Sequence, residues 1–257
     1  MSTWIVCLKD RPTARQRLFC FPYAGAGIAA FRDWSEDLGA DVEVCCIQLP
    51  GRGQRLRERP SDSMREVIPP LVAALRPWLD RPFSFYGHSL GANIAFEVAR
   101  ALRRAGWSQP AHLFAAASPA PQAPWPHPPM HGMKEDDFLD EIQKRYGGVP
   151  KQVVEDPEMR ALLIPTLRAD VTIMETYTYQ AEVPLGCPIT AIGGAADRTV
   201  RPAAIDGWRE QTSGNYALHV LEGDHFFLHA KRQRLLALIS AELAGLSGSP
   251  LAVTQGV

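Results

Sequence analysis

Short runs in which nearly every residue is apolar recur along the chain, and each is followed by a stretch whose apolar positions return every three or four residues. The runs fall at residues 3–8, 17–22, 42–50, 83–86, 111–118, 188–194 and 216–221. A strand that is apolar on both faces must be covered on both, so this rhythm predicts a mostly parallel sheet with helices on either side. The helical stretches are read at about 29–34, 63–79, 92–102 and 230–245.

Between residues 119 and 179 the rhythm breaks. Pro119-Ala120-Pro121 through Pro128-Pro129 is too rich in proline for a regular helix or a central strand. Helical segments follow: Asp136–Tyr146, stopped by Gly147-Gly148, and a second that starts at Asp156-Pro157-Glu158 with a cap and a first-turn proline. Pro165 is expected to break or kink this second run before Leu167–Tyr177. The division that results is a core of 1–118 and 180–246, a helical lid insertion of 119–179, and a polar tail of 247–257 expected to be disordered. The apolar lid positions, among them Phe138, Ile142, Leu163 and Met174, suit a core as well as a surface that encloses an acyl chain.

Chemistry concentrates at Gly87-His88-Ser89-Leu90-Gly91, a G-x-S-x-G pattern with an apolar strand before it and a good helix former after it. A strand that reverses into a helix this sharply strains the backbone of the serine and leaves no room for side chains at the glycines. Ser89 is therefore a candidate nucleophile. The early loop Tyr23-Ala24-Gly25-Ala26-Gly27 admits three readings: a phosphate cradle, an oxyanion loop or a plain turn. Its spacing fits neither G-x-G-x-x-G nor a lysine-bearing P-loop. With a nucleophile elbow downstream, the backbone N–H groups of Ala24 and Leu90 are assigned to an oxyanion hole.

A serine nucleophile needs a base and an acid that orients it, which follow here in the order Ser, Asp, His. Asp197 lies in the loop after the strand at 188–194, and His225 in the loop after the strand at 216–221. His229, one helical turn on, is the competing base; His88 neighbours the nucleophile, His112 and His219 fall within strands, and His127 and His131 fall in the lid crossing. In this reading His225 takes the Ser89 proton, Asp197 fixes the imidazole, Ser89 attacks an acyl carbon, and water then releases the acid.

Composition narrows the partners. The 257 residues are 46% hydrophobic and 21% charged with a net charge of -1, and no basic cluster interleaves with aromatics, so nucleic acid is disfavoured. No signal-like start and no run of membrane-spanning length occur, which points to a cytoplasmic protein with no membrane contact. The five scattered cysteines read as structural, with no metal site. Cys45 and Cys46 should face opposite sides of the sheet. The arginine-rich loop after residue 50 is open to two readings, a solvated face or a rim that attracts an acidic partner.

Phe21-Pro22-Tyr23-Ala24-Gly25, Leu49-Pro50-Gly51-Arg52, the elbow through Ala92, Leu167-Arg168-Ala169-Asp170 and Gly223-Asp224-His225-Phe226 together resemble the type II thioesterases that accompany modular polyketide and nonribosomal peptide synthases. The resemblance covers about residues 15–243. It implies an α/β-hydrolase fold, an α/β architecture with a mostly parallel central sheet, and hydrolysis of acyl groups from the phosphopantetheine arm of carrier proteins. It also implies the triad Ser89, Asp197 and His225 and the oxyanion donors Ala24 and Leu90. Substrate contacts are expected at Tyr23, His88, Phe226, Met174 and Phe138. The implied partner is an acyl or peptidyl carrier protein, bound transiently by a monomer that needs no cofactor or metal of its own. Ala26 departs from the family, which often has glycine there. A carboxylesterase, an acyltransferase or product-releasing enzyme with the same triad, and a catalytically silent carrier-binding protein remain as alternatives.

Overall fold

The computed structural model describes residues 3–125, 127–147, 149 and 155–246. The expected tail at 247–257 and parts of the expected lid lie outside these. Seven strands form one sheet: β1 (Ile5–Cys7), β2 (Gln16–Phe21), β3 (Val42–Ile47), β4 (Phe83–His88), β5 (Leu113–Ala116), β6 (Ile189–Gly194) and β7 (Tyr216–Leu221). Their order in space is β1-β3-β2-β4-β5-β6-β7. β1 is antiparallel to β3, and every other pair is parallel. All seven occur where apolar runs were read, within a few residues at each end.

The helices are α1 (Trp34–Asp37), α2 (Met64–Leu75), α3 (Leu90–Arg104), α4 (Glu135–Arg145), α5 (Pro157–Thr176), α6 (Pro202–Asp206), α7 (Phe227–Ala230) and α8 (Arg232–Leu246). The period-2 geometry of the strands divides the interior into two cores. Phe19 and Phe21 of β2 pack with Val67, Leu71 and Phe96 on one face, while Leu18 and Cys20 pack with Trp34, Leu235 and Ile239 on the other. Cys45 and Cys46 fall in opposite cores, as the alternation requires.

Pro165 does not end its helix. α5 continues through it, and α2 likewise contains Pro69 and Pro70. Each proline forfeits a backbone hydrogen bond and costs about 3 kcal/mol in an isolated helix. In α5 the burial of Ile164, Leu167, Val171, Ile173 and Met174 outweighs that cost. The start of α5 agrees with the sequence: the Asp156 side chain accepts from the N–H groups of Glu158 and Met159.

Neither reading of the arginine-rich loop holds for two of its members. Arg52 and Arg55 are buried. Arg52 pairs with Asp170 of α5 at 2.7 Å, and Arg55 donates to the Gln48 carbonyl at 3.0 Å while its guanidinium lies 3.9 Å from the centre of the Trp4 ring. Arg55 also pairs with Glu58, three residues on, at 2.6 Å. The partner of Arg52 sits 118 positions away, which charge spacing along the chain does not register.

Candidate active site

In an open parallel sheet, ligands bind at the carboxyl ends of the strands where the connections change direction. Here that point lies between β2 and β4, because β3 sits on one side of β2 and β4 on the other. The loop Tyr23–Gly27 leaves β2 and Ser89 leaves β4, so the topology brings both into one crevice. The loops after β6 and β7 deliver Asp197 and His225 to the same edge.

Ser89 has φ 54° and ψ -119°, a strained conformation for a residue with a side chain. The two flanking glycines make it possible. A Cβ on Gly87 would lie 2.4 Å from the Gly91 carbonyl oxygen, and a Cβ on Gly91 would lie 2.1 Å from that of Phe21. The Ser89 N–H is tied to the Ala116 carbonyl at 2.8 Å, which locks the turn to β5. Leu90 is the first residue of α3, where N–H groups have no partner within the helix. Among the described residues no hydrogen bond engages the N–H of Ala24, which follows Tyr23 in the loop across the crevice.

His225 Nδ1 meets Asp197 Oδ2 at 2.8 Å, and both groups are buried. The other aspartate oxygen is fully occupied: Oδ1 accepts from the Thr199 N–H at 2.8 Å, the Thr199 hydroxyl at 2.7 Å and the Val200 N–H at 3.1 Å. Burial alone would raise the Asp197 pKa. The bond and charge of His225, with the bonds from Thr199, outweigh burial and hold it below the usual carboxylate range. The ring face of His225 is fixed by Tyr146, whose ring lies edge-on with centroids 5.0 Å apart.

His88 and Phe138, both expected at the substrate, are not on the cavity wall. His88 is fully buried, with Nδ1 3.1 Å from the Tyr86 hydroxyl and Nε2 2.8 Å from the backbone carbonyl of His225. Burial, followed by the neighbouring His225, pushes its pKa down to about 3, so it is neutral and Nε2–H donates to that carbonyl. Its place is underneath His225. Phe138 is sealed in the small core that α4 and α5 share with Met130 and Val171. The competing base, His229, contacts the Tyr23 hydroxyl at 3.0 Å instead of an acid.

A cavity of about 660 Å³ joins the remaining groups. Ser89 and His225 stand on its wall with Tyr23, Ala24 and Phe226, and the opposite wall is apolar, with Leu163, Leu167 and Met174 from α5. Asp170 of the same helix reaches the Tyr23–Gly27 loop: its Oδ2 accepts from the Gly25 N–H at 2.7 Å. Sequence reasoning gives no role to Thr199, Tyr146 or Asp170, and it places Arg52 on a solvated face or a rim. Of these, Thr199 had a local signal, a hydroxyl two residues beyond an aspartate, which is the spacing of a side-chain-capped turn. This arrangement is suited to acyl transfer through serine: a serine on a strained turn, a histidine oriented by a buried carboxylate, and backbone N–H groups facing the same crevice.

Comparison with known proteins agrees with that geometry. The thioesterase domain model matches residues 16–243. Linear gramicidin dehydrogenase LgrE of Brevibacillus parabrevis is 41% identical over 245 residues, 94% of this chain and 93% of that protein. The solved structure of RedJ, a thioesterase from the prodiginine pathway in Streptomyces coelicolor, is 39% identical with a TM-score of 0.84, covering 91% of this chain and 87% of its own. YbtT, a type II thioesterase from the yersiniabactin NRPS/PKS pathway, is 28% identical with a TM-score of 0.85, covering 95% and 99%. The chain belongs to the thioesterase domain family; it has the α/β-hydrolase fold and is a thioester hydrolase.

Proposed function

We propose that this protein hydrolyses acyl thioesters borne on the phosphopantetheine arm of an acyl or peptidyl carrier protein, and so clears stalled or aberrant acyl units in polyketide or nonribosomal peptide assembly. The observation that carries the reading is a cavity whose lining brings Ser89 and His225 together with apolar side chains of α5, in a chain whose relatives belong to such pathways. His225 accepts the Ser89 proton at Nε2, since Nδ1 is held by Asp197. Ser89 adds to the thioester carbonyl, and the oxyanion forms between the N–H groups of Ala24 and Leu90. Collapse expels the thiol, protonated by His225, and leaves an acyl-serine. Water attacks that ester with His225 again as base and releases the acid.

A dehydrogenase reading, which the name of LgrE would suggest, is disfavoured by what surrounds the loop after β2. Gly25-Ala26-Gly27-Ile28-Ala29-Ala30 has the relaxed G-x-G-x-x-A form of a dinucleotide fingerprint. It opens a four-residue 3-10 turn at Ile28–Phe31 in place of a long helix, and β3 runs out into Gln48 and Leu49 with no acidic residue to hold a ribose.

The cavity also favours a kind of acyl group. Among the described residues its wall includes no Asp, Glu, Lys or Arg, so a charged group on the acyl chain would be buried without a partner. Uncharged alkyl or aryl acyl groups fit. A second cavity of about 330 Å³ reaches His225 and Asp197 from the polar side, lined by Gln143, Lys144 and Arg198, and suits the amide-rich arm. The protein acts as a cytoplasmic monomer that meets its carrier transiently and uses no cofactor of its own; among the described residues no helix is long and apolar enough to cross a membrane.

The test is release of butyryl, octanoyl, malonyl and aminoacyl groups from a holo carrier protein and from a small-molecule thioester. Faster release from the carrier, with octanoyl or butyryl ahead of the charged groups by tenfold or more, is expected. Equal rates from both forms, or preference for a charged acyl, would overturn the carrier or the acyl assignment respectively.

A further inference from the structure

We infer that Asp170 and Arg52 form a positioning clamp that sets the oxyanion loop from the lid helix; this rests on the hydrolase reading above. Three segments distant in sequence meet at this pair. Asp170 is fully buried on α5 and engages both guanidinium nitrogens of Arg52, Oδ2 with Nη1 and Oδ1 with Nη2, each at 2.7 Å. The same Oδ2 accepts from the Gly25 N–H at 2.7 Å, and the same Nη1 donates to the Ala26 carbonyl at 2.9 Å. Both loop residues after Ala24 are thereby fixed, one through its donor and one through its acceptor.

The direction of the Ala24 N–H follows from those two anchors. Gly25 has φ +75°, a left-handed conformation that turns the chain back after Ala24, and a Cβ there would lie 3.0 Å from Leu167 Cδ1. Leu167 and Asp170 share one face of α5, three residues apart, and Thr166 on the same helix donates to the Gly51 carbonyl at 2.9 Å. One helix thus presses on the oxyanion loop, bonds it and bonds the loop that carries Arg52. A buried ion pair is a poor stabiliser compared with apolar side chains of the same size, because both charges must leave water. What it supplies is direction, since a bidentate guanidinium–carboxylate pair tolerates little rotation. Oxyanion catalysis depends on donors fixed in advance, and a displacement near 1 Å costs on the order of 10²-fold.

The experiment compares wild type, Asp170→Asn and the double variant Arg52→Met with Asp170→Leu on one acyl thioester, with Ser89→Ala as control. Asp170→Asn is expected to lower kcat about 10- to 100-fold with KM within about twofold, and to leave the shape of the pH profile unchanged because the Asp197–His225 pair is untouched. The double variant removes both charges and is expected to fold as stably as wild type while kcat stays at least tenfold down. If Asp170→Asn fails to fold, the double variant decides. Wild-type kcat in a folded Asp170→Asn, or recovery of kcat in the double variant, would overturn the clamp. Substantial activity in Ser89→Ala would instead overturn the hydrolase reading on which it rests.

Discussion

In the proposed mechanism the site has two halves, an acid–base half and an oxyanion half, and they are held in opposite ways. The acid–base half is local: Asp197 Oδ1 is satisfied by Thr199 and Val200, two and three residues away, and the loops that carry Asp197 and His225 leave adjacent strands. The oxyanion half is assembled from afar, with Gly25 bonded to a residue 145 positions later and Ala26 bonded to Arg52. A proton-transfer pair needs one short contact and a fixed tautomer, which a loop provides by itself. An oxyanion hole needs two amides from different segments aimed at a point, and that calls for an external brace.

The largest effect that sharpens this contrast is expected at the acid. Asp197→Asn leaves the shape of the loop intact but removes the charge that opposes the imidazolium, and should lower kcat by about 10³- to 10⁴-fold with little change in KM. Steady-state kinetics check it, and a loss below tenfold would remove Asp197 from the orienting role. Because its pKa is depressed on folding, the contribution of Asp197 to stability is present above the ordinary aspartate range, near pH 3.9, and is lost as pH falls through the lower native value.

A smaller effect is expected next to it. Thr199→Val deletes the hydroxyl bond to Asp197 while both backbone donors remain, a loss worth about 1 kcal/mol, so kcat should fall roughly fivefold. A fall as large as that of Asp197→Asn would mean the local half is not locally secured.

The remaining effect is expected on stability rather than turnover and lies beneath His225. His88 is neutral in the native state with a pKa of about 3, so below pH 6.5 the unfolded chain takes up a proton that the native chain refuses. Stability therefore declines as pH falls from about 6.5. His112, pushed by burial to about 4, adds a second contribution of the same sign. His88→Gln should reduce this slope by up to about 1.4 kcal/mol per pH unit, measured by denaturant unfolding between pH 6 and 4. An unchanged slope would show that His88 does not stay neutral on folding.

The same contrast explains what could be read from the chain. The strands, the elbow at Ser89 and the loop positions of Asp197 and His225 were legible, because each depends on a run of apolar residues or on a glycine at fixed offset. His88 and Phe138 were placed at the substrate because sequence puts them beside the right elements, but not on which side. The next residue along a strand, or one position around a helix, faces another core. Arg52 was read as solvent or rim since a charge in a polar loop usually is one, and only its partner 118 positions away reverses that. Pro165 reads as a break or a kink because propensity is local, and the break does not occur because the burial that sustains α5 is not local.

The central claim, that Ser89 performs the acyl chemistry of this cavity, is tested most directly by active-site titration. An alkyl fluorophosphonate should modify Ser89 alone, at one equivalent per chain by intact mass and peptide mapping, and acyl release from a loaded carrier protein should fall in proportion to the fraction labelled. Turnover that persists after complete modification of Ser89 would contradict the account.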